Sequence, residues 1–431
     1  MPSWFAAICV IALWTSATAQ LVSLEAYPYA KCLDGSPSGY YFREASSDRA
    51  RRKWLVVLEG GGICTGQADC TARAETDLGS SKNWDATFDW NSTSLTTTDT
   101  RNPFSEWNVA WVKYCDGSMF TGSRKNTSAD TFFLWFSGHN TIAAVVDSLV
   151  SKSGSNGLNS TAGGPSFFAL SGGSAGALGA FANVDFVASR LTSNVSVVGI
   201  PVGGYVPNIR WFQGHVHNTP SEDVRDDAFA HHTKLFQSYL PQACVEKLGP
   251  SQSYKCIVPR LTYPFYTRPL FIIEALTDAC ILCGFEGIGK SPESCWVPVI
   301  GGGLLRTKEE KAWMSQYGQN ASANMRQVIE NPRDGLFAPS CFLHCHFTLD
   351  HPKLNNSNAV DAAHQWLIQY LPQTMLADAS GERQKSGNQQ FTWIDRCPNN
   401  QYWPPCNPTC PFMPTTPASK DLRRDPFNPE L

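Results

Sequence analysis

Short apolar runs recur along the chain near residues 54–59, 107–114, 166–171, 195–200 and 270–276. Within them apolar residues follow one another without polar alternation, as in Trp54-Leu55-Val56-Val57-Leu58 and Leu270-Phe271-Ile272-Ile273. That is the pattern of strands covered on both faces. Between the runs lie helical stretches; from Asn140 to Val150, Asn140 is placed to cap and Ile142, Val145, Val146 and Leu149 share one face. The alternation predicts a doubly wound, mostly parallel α/β sheet. With no internal repeat and no low-complexity linker before the tail, it predicts a single large domain.

The third run ends unlike the others, because Phe167 to Leu170 leads into Ser171-Gly172-Gly173-Ser174-Ala175-Gly176, a G-x-S-x-G sequence. On a sharp strand-to-helix turn the glycines at 172 and 176 leave room for neighbouring backbone, and the Ser174 hydroxyl is lifted clear of the sheet. The N–H of Ala175 then points at the oxygen of a carbonyl under attack. Upstream, the first run empties into Gly60-Gly61-Gly62, whose bare N–H groups suit the other half of an oxyanion hole; a glycine-rich hairpin turn is the plainer use of the same residues. Together the two segments point to α/β-hydrolase-like acyl transfer.

A serine nucleophile needs an imidazole to take its proton and a carboxylate to orient the imidazole. In α/β-hydrolase order the acid precedes the histidine. Asp278 lies just past the 270–276 run, where active-site groups of such sheets collect, and Glu274 is the nearest other carboxylate. Gly335 to His346 reads as a loop-like segment with two histidines, and the residues alone leave the base open between His344 and His346. A zinc site on these histidines with Cys341 and Cys345 lacks paired C-x₂₋₄-C and H-x₃₋₅-H spacing. Cys280-Ile281-Leu282-Cys283 lacks the setting of a thioredoxin site and reads as disulfide cysteines. No metal and no cofactor are expected.

Residues 1–19 have an apolar centre, Phe5 to Trp14, and end in Ala17-Thr18-Ala19, the form of a cleaved secretory leader too short to span a bilayer. Residues 20–410 then make up the esterase domain, and 411–431 a tail rich in proline and charge. Of 15 cysteines only Cys9 lies in the leader; the even remainder fits an oxidising compartment, with Cys64–Cys70 and Cys244–Cys256 as short-range pairs. Six sequons, at Asn91, Asn126, Asn159, Asn194, Asn320 and Asn355, suggest glycosylation at some of those sites. A net charge of −3 indicates no nucleic-acid partner. No later segment suits a membrane span, and a soluble monomer is expected.

The motifs Cys32-Leu33-Asp34-Gly35-Ser36-Pro37-Ser38-Gly39, Leu58-Glu59-Gly60-Gly61-Gly62-Ile63-Cys64, Leu78-Gly79-Ser80-Ser81 and Tyr114-Cys115-Asp116-Gly117-Ser118 stand in order ahead of the serine. With the Ser174 elbow, Ser340-Cys341-Phe342-Leu343-His344-Cys345 and Pro405-Cys406-Asn407-Pro408-Thr409-Cys410, they resemble the pectin acetylesterases and, more distantly, Notum of the same family. The resemblance implies Ser174 as nucleophile, Asp278 as acid, His344 as base, the N–H groups of Gly61, Gly62 and Ala175 as oxyanion hole, and a Cys32–Cys115 disulfide. Three positions depart from the family pattern: Ile63 replaces a usual aromatic, Val202 an acidic residue, and Ala279-Cys280-Ile281 an aromatic-rich segment after the acid.

The implied activity is removal of O-acetyl groups from acetylated pectic polysaccharide at the cell wall. A Notum-like enzyme that removes a fatty acyl group from a protein is the alternative, and it requires a deep apolar pocket. An inactive glycan-binding relative is a further alternative, against which the intact Ser174, Asp278 and His344 stand.

Overall fold

The apolar runs form the middle of one nine-stranded sheet. A computed structural model describes residues 20–152, 158, 164–205, 221–282, 307–375 and 390–411. The leader over 1–19, the tail from 412, Asn159 and Cys283 lie outside the described residues. In chain order the strands are β1 (Gln20–Ser23), β2 (Gly39–Arg43), β3 (Lys53–Leu58), β4 (Asn108–Val112), β5 (Ser166–Gly173), β6 (Val195–Val202), β7 (Phe271–Ile273), β8 (Gly335–Ala338) and β9 (Thr392–Ile394). Their order across the sheet is β1-β2-β4-β3-β5-β6-β7-β8-β9. The β1–β2 and β2–β4 pairs are antiparallel, and every pair from β4 to β9 is parallel.

Alternate residues of each central strand enter opposite apolar layers. Trp54, Val56 and Leu58 of β3 join Phe168 and Leu170 of β5 beneath the helices α2 (Gly138–Lys152) and α3 (Ala175–Arg190). Leu55 and Val57 turn the other way, to Trp111, Phe167, Phe271 and Ile273. That second layer is closed by the helix Ala359–Leu367, whose Trp366 is fully buried. Burial on both faces is why the strands are written as unbroken apolar runs. Among the described residues no helix is long and apolar enough to cross a membrane.

Three sequence expectations need correction. Asn140 is not the cap of α2, which begins two residues earlier: the Gly138 N–H is accepted by the Asp116 carboxylate at 2.6 Å and the His139 N–H by the Gly122 carbonyl at 2.8 Å. With those orphan donors met by distant chain, the Asn140 side chain donates instead to the Arg124 carbonyl. The strand expected over 270–276 is Phe271–Ile273, which leaves Glu274 past its end. The loop-like segment before His344 opens with a strand, β8, fully buried in the sheet.

Both short-range disulfides form, Cys64–Cys70 and Cys244–Cys256, as does the Cys32–Cys115 pair that the family resemblance implies. Cys341–Cys410 and Cys397–Cys406 join them. Chain entropy separates their roles: closing the 83-residue separation of Cys32–Cys115 removes about 4.5 kcal/mol of unfolded-state freedom, against about 2 for the 6-residue separation of Cys64–Cys70. The shorter bridge therefore matters more for local shape. An even cysteine count does not translate into complete pairing, because Cys345 keeps its thiol.

Three histidines are held neutral by the fold. His139 stacks on Tyr239 at 4.0 Å, His232 on Phe236, and His364 meets Phe104 edge-on. Burial pushes each of them down to about 4. Such a group takes up a proton on unfolding below its ordinary value of about 6.5, so its contribution to stability is lost as pH falls from about 6.5 toward about 4. Thermal melts of His364→Phe, which fills the apolar site without a titrating ring, should show a shallower decline across that window than wild type. Parallel curves would show that His364 does not contribute to acid sensitivity.

Candidate active site

The turn from β5 into α3 holds Ser174 at φ 55° and ψ −120°, a strained conformation for a residue with a side chain. Tight packing enforces it. A Cβ at Gly172 would lie 2.3 Å from the Gly176 carbonyl oxygen, and one at Gly176 would lie 2.1 Å from the Leu58 carbonyl oxygen. The Ser174 N–H donates to the Val202 carbonyl at 2.9 Å, which ties the turn to the end of β6. Ala175 opens the helix, so its N–H belongs to the first turn, which has no intrahelical acceptor.

The glycine segment after β3 packs directly on this elbow, since a Cβ at Gly60 would stand 3.1 Å from the Ser174 Cβ. Gly61 and Gly62 both take positive φ, 149° and 68°. Their carbonyls are braced from outside the segment: Arg73 Nη1 donates to the Gly61 carbonyl at 2.7 Å, and the Tyr114 hydroxyl donates to the Gly62 carbonyl at 2.8 Å. The Cys64–Cys70 bridge holds α1 (Gln67–Arg73), which carries Arg73, against the segment. The Gly61 carbonyl shares its peptide plane with the Gly62 N–H, so the Arg73 brace turns that N–H the opposite way; the cavity is lined by Gly60, Gly61, Gly62 and Ser174 together. Sequence reasoning missed Arg73 and Tyr114, although both stand within or beside the quoted motifs.

Asp278 and His344 meet across the ends of β7 and β8. Backbone hydrogen bonds from Glu274 to Phe337, Leu276 to Pro339 and Ala279 to Leu343 bind the two loops together. Asp278 is fully buried; its Oδ2 receives the His344 Nδ1–H at 2.7 Å and its Oδ1 the Ile281 N–H at 3.0 Å. His344 Nε2 is buried without a hydrogen-bond partner, and the ring lines the same cavity as Ser174. Burial disfavours a charged imidazole, but the adjoining Asp278 carboxylate outweighs it and holds His344 well above the ordinary range.

His346 is placed differently, with Nδ1 at 2.6 Å from the His344 carbonyl. Cys341 is committed to its disulfide with Cys410, and the Cys345 thiol donates to the Val202 carbonyl at 3.3 Å. Among the described residues no three His, Cys, Asp or Glu side chains gather as a metal site.

The cavity has a volume of about 620 Å³ and is open to solvent at its rim. Its walls behind Ser174 are apolar, built from Val57, Trp111, Val202, Ile273, Phe347 and Val360 of the second layer. Its rim is polar, with Arg101 bridging Asp99 at 2.7 Å and Asp350 at 2.8 Å and the sequon residue Asn91 beside them.

A parallel sheet with a strained serine between β5 and α3, and acid and histidine loops after β7 and β8, defines an α/β-hydrolase-like protein. More narrowly, the chain belongs to the pectinacetylesterase family, whose profile, described as Pectinacetylesterase, matches residues 14–411. It is 29% identical over 401 residues to pectin acetylesterase 7 of Arabidopsis thaliana, covering 90% of each protein. It is 27% identical over 396 residues to palmitoleoyl-protein carboxylesterase notum1' of Xenopus laevis, covering 89% of this chain and 72% of that one. The solved structure of the Wnt deacylase Notum from Drosophila shares the fold, with a TM-score of 0.70 at 22% identity over 91% of this chain and 99% of that one.

Two predictions follow from the geometry. On p-nitrophenyl acetate, Ser174→Ala and His344→Ala should each abolish turnover with the fold intact, Asp278→Asn should cost on the order of 10⁴, and His346→Ala should cost far less. A variant at His346 as damaging as one at His344 would reassign the base. Wild-type kcat/KM should rise on an acid limb centred above about 6.5, because His344 must shed a proton that Asp278 holds.

Arg73→Ala frees the Gly61 carbonyl to swing, so kcat should drop by about 10–100-fold with KM little changed. A fall in KM-dependent binding alone would place Arg73 on the substrate instead.

Proposed function

We propose that the chain is a serine carboxylic ester hydrolase, released from the cell, that removes O-acetyl groups from acetylated pectic polysaccharide. The observation that carries this reading is the Asp278–His344 hydrogen bond, 2.7 Å long, set behind the cavity that Ser174 lines at positive φ. Neutral His344 accepts the Ser174 proton at Nε2 as Oγ bonds to the acyl carbon, and the carbonyl electron pair moves onto oxygen. The N–H groups of Gly61, Gly62 and Ala175 receive that oxyanion. Collapse expels the sugar alkoxide with the proton from His344, and water, deprotonated by the same imidazole, then cleaves the acyl-enzyme. Asp278 stays ionised and fixes the tautomer. The names of the Arabidopsis relatives support an acetylated pectic substrate, and the polar rim at Asp99, Arg101 and Asp350 supplies groups for sugar hydroxyls.

One observation favours a second reading, deacylation of a lipid-modified protein: the cavity that Ser174 lines, about 620 Å³ including its polar rim, has walls at Val57, Trp111, Val202, Ile273, Phe347 and Val360 that are apolar, and an acetyl group does not fill it. The names of the Xenopus relatives point the same way. Each buried methylene is worth about 0.8 kcal/mol, close to fourfold in kcat/KM. A lipid pocket therefore makes kcat/KM climb from acetyl to octanoyl p-nitrophenyl esters. The polysaccharide reading expects a fall beyond butyryl together with acetate release from acetylated pectin. A rising profile with no acetate released would transfer the assignment to the second reading.

A further inference from the structure

Among the described residues two guanidinium groups line the cavity, and carboxylates match only one of them. Arg101 at the rim spans Asp99 at 2.7 Å and Asp350 at 2.8 Å, so its charge is answered twice. Arg73 makes no ion pair among the described residues, and its guanidinium donates only from Nη1, to the Gly61 carbonyl. Asp69, one turn earlier on α1, has the spacing to pair with it. Instead its oxygens accept the Thr65 and Gly66 N–H groups, each at 2.7 Å, and that of Cys70 at 3.0 Å. That carboxylate is committed to the start of the helix.

The edge of Arg73 left over has the shape of a carboxylate site. In the planar guanidinium Nη2 lies on the same side as the Nε–H, and the two form a fork that takes both oxygens of one carboxylate. Holding Gly61 through Nη1 leaves this fork whole. Nη2 stands near Gly62, where a Cβ would lie 3.6 Å from it. The stem is held too, since Cδ would meet a Cβ on Gly117 at 3.4 Å and the Cys64–Cys70 bridge anchors α1. The fork is therefore fixed beside the glycine segment that packs on Ser174. A half-buried cation with no counter-charge is unfavourable, and an anionic ligand relieves it.

We infer that Arg73 is a specificity-determining residue, whose Nε and Nη2 fork takes a uronate carboxylate of the polysaccharide next to the ester that Ser174 attacks. The inference rests on the polysaccharide reading. It places stretches of free acid sugar ahead of the same stretches with their carboxyls methyl-esterified. A net charge of −3 gives no long-range attraction for such a polyanion, so the preference comes from this contact. The bond to Gly61 and the contact with uronate are separable, because p-nitrophenyl acetate carries no carboxylate and feels Arg73 only through Gly61.

The test follows inhibition of p-nitrophenyl acetate hydrolysis by trigalacturonate and by its methyl ester at about pH 7, where a sugar carboxyl is ionised. Wild type, Arg73→Lys and Arg73→Ala are compared, with thermal melts, and acetate release from acetylated pectin is measured for wild type. Trigalacturonate should compete with the substrate and bind wild type at least about tenfold tighter than its methyl ester. Raising salt from about 20 mM to about 300 mM should narrow that margin. Arg73→Ala should bring the ratio to about one, and Arg73→Lys, a charge without a fork, to a value between. If Arg73 were a brace alone, Arg73→Ala would lose kcat and keep the wild-type ratio, which overturns the inference. Equal binding of acid and methyl ester by wild type also overturns it, and that measurement needs no variant to fold. Acetate released from pectin by a wild type without uronate preference removes the inference and leaves the pectic reading standing. No acetate from pectin, beside a uronate preference that Arg73→Ala abolishes, sinks the pectic reading and keeps Arg73 as a carboxylate site.

Discussion

The first turn of α3 lies so close to the end of β3 that no side chain fits between them. A Cβ on Gly176 would come within 2.1 Å of the Leu58 carbonyl oxygen, far inside any real contact. That approach forces Ser174 into its strained turn and sets the Gly60–Gly62 segment against it, so the serine turn and the glycine segment pack as one unit. The cost of the strain, of order 1–3 kcal/mol, is carried by the fully buried strands on either side. Because β3, β5, β6, β7 and β8 run parallel, the loops after them emerge at one edge. Asp278 and His344 need only be held there by the loop-to-loop bonds.

This dependence on long-range contact explains what the chain discloses and what it conceals. The central strands are legible because burial on both faces writes them as continuous apolar runs, and the elbow is legible because Gly172, Ser174 and Gly176 meet a local steric demand. The start of α2 is not, since its first donors are satisfied by Asp116 and Gly122, and nothing near Asn140 records that. β8 is short and ends against Pro339, so Gly335–Ala338 has too little length to separate from a loop. The choice of His344 over His346 came from family resemblance; the structure pairs His344 with Asp278 and turns Nδ1 of His346 toward the His344 carbonyl. Arg73 and Tyr114 brace the glycine segment through partners 12 and 52 residues away, which no local pattern can encode.

Burying three titratable groups together is costly unless their charges and protons are matched. Here the matching is a chain of donors. Ile281 and His344 donate to Asp278, Tyr205 donates to Glu274, and Cys345 donates to the Val202 carbonyl that also receives the Ser174 N–H. His344 Nε2 is left without a hydrogen-bond partner, and the ring lines the cavity that Ser174 lines.

The acyl side of the cavity is governed by packing. Val57, Trp111 and Ile273 occupy strand positions whose neighbours on the same face fill the second apolar layer, so the cavity is a gap in that layer. The helix Ala359–Leu367 closes the layer farther back, and its first residues, Ala359 and Val360, reach the cavity wall. The space beside Ser174 is therefore set by core volumes at a few sheet and helix positions. Relatives named for acetyl and for palmitoleoyl substrates share the family to which this chain belongs, and in this chain the residues that bound the space beside Ser174 belong to the second apolar layer.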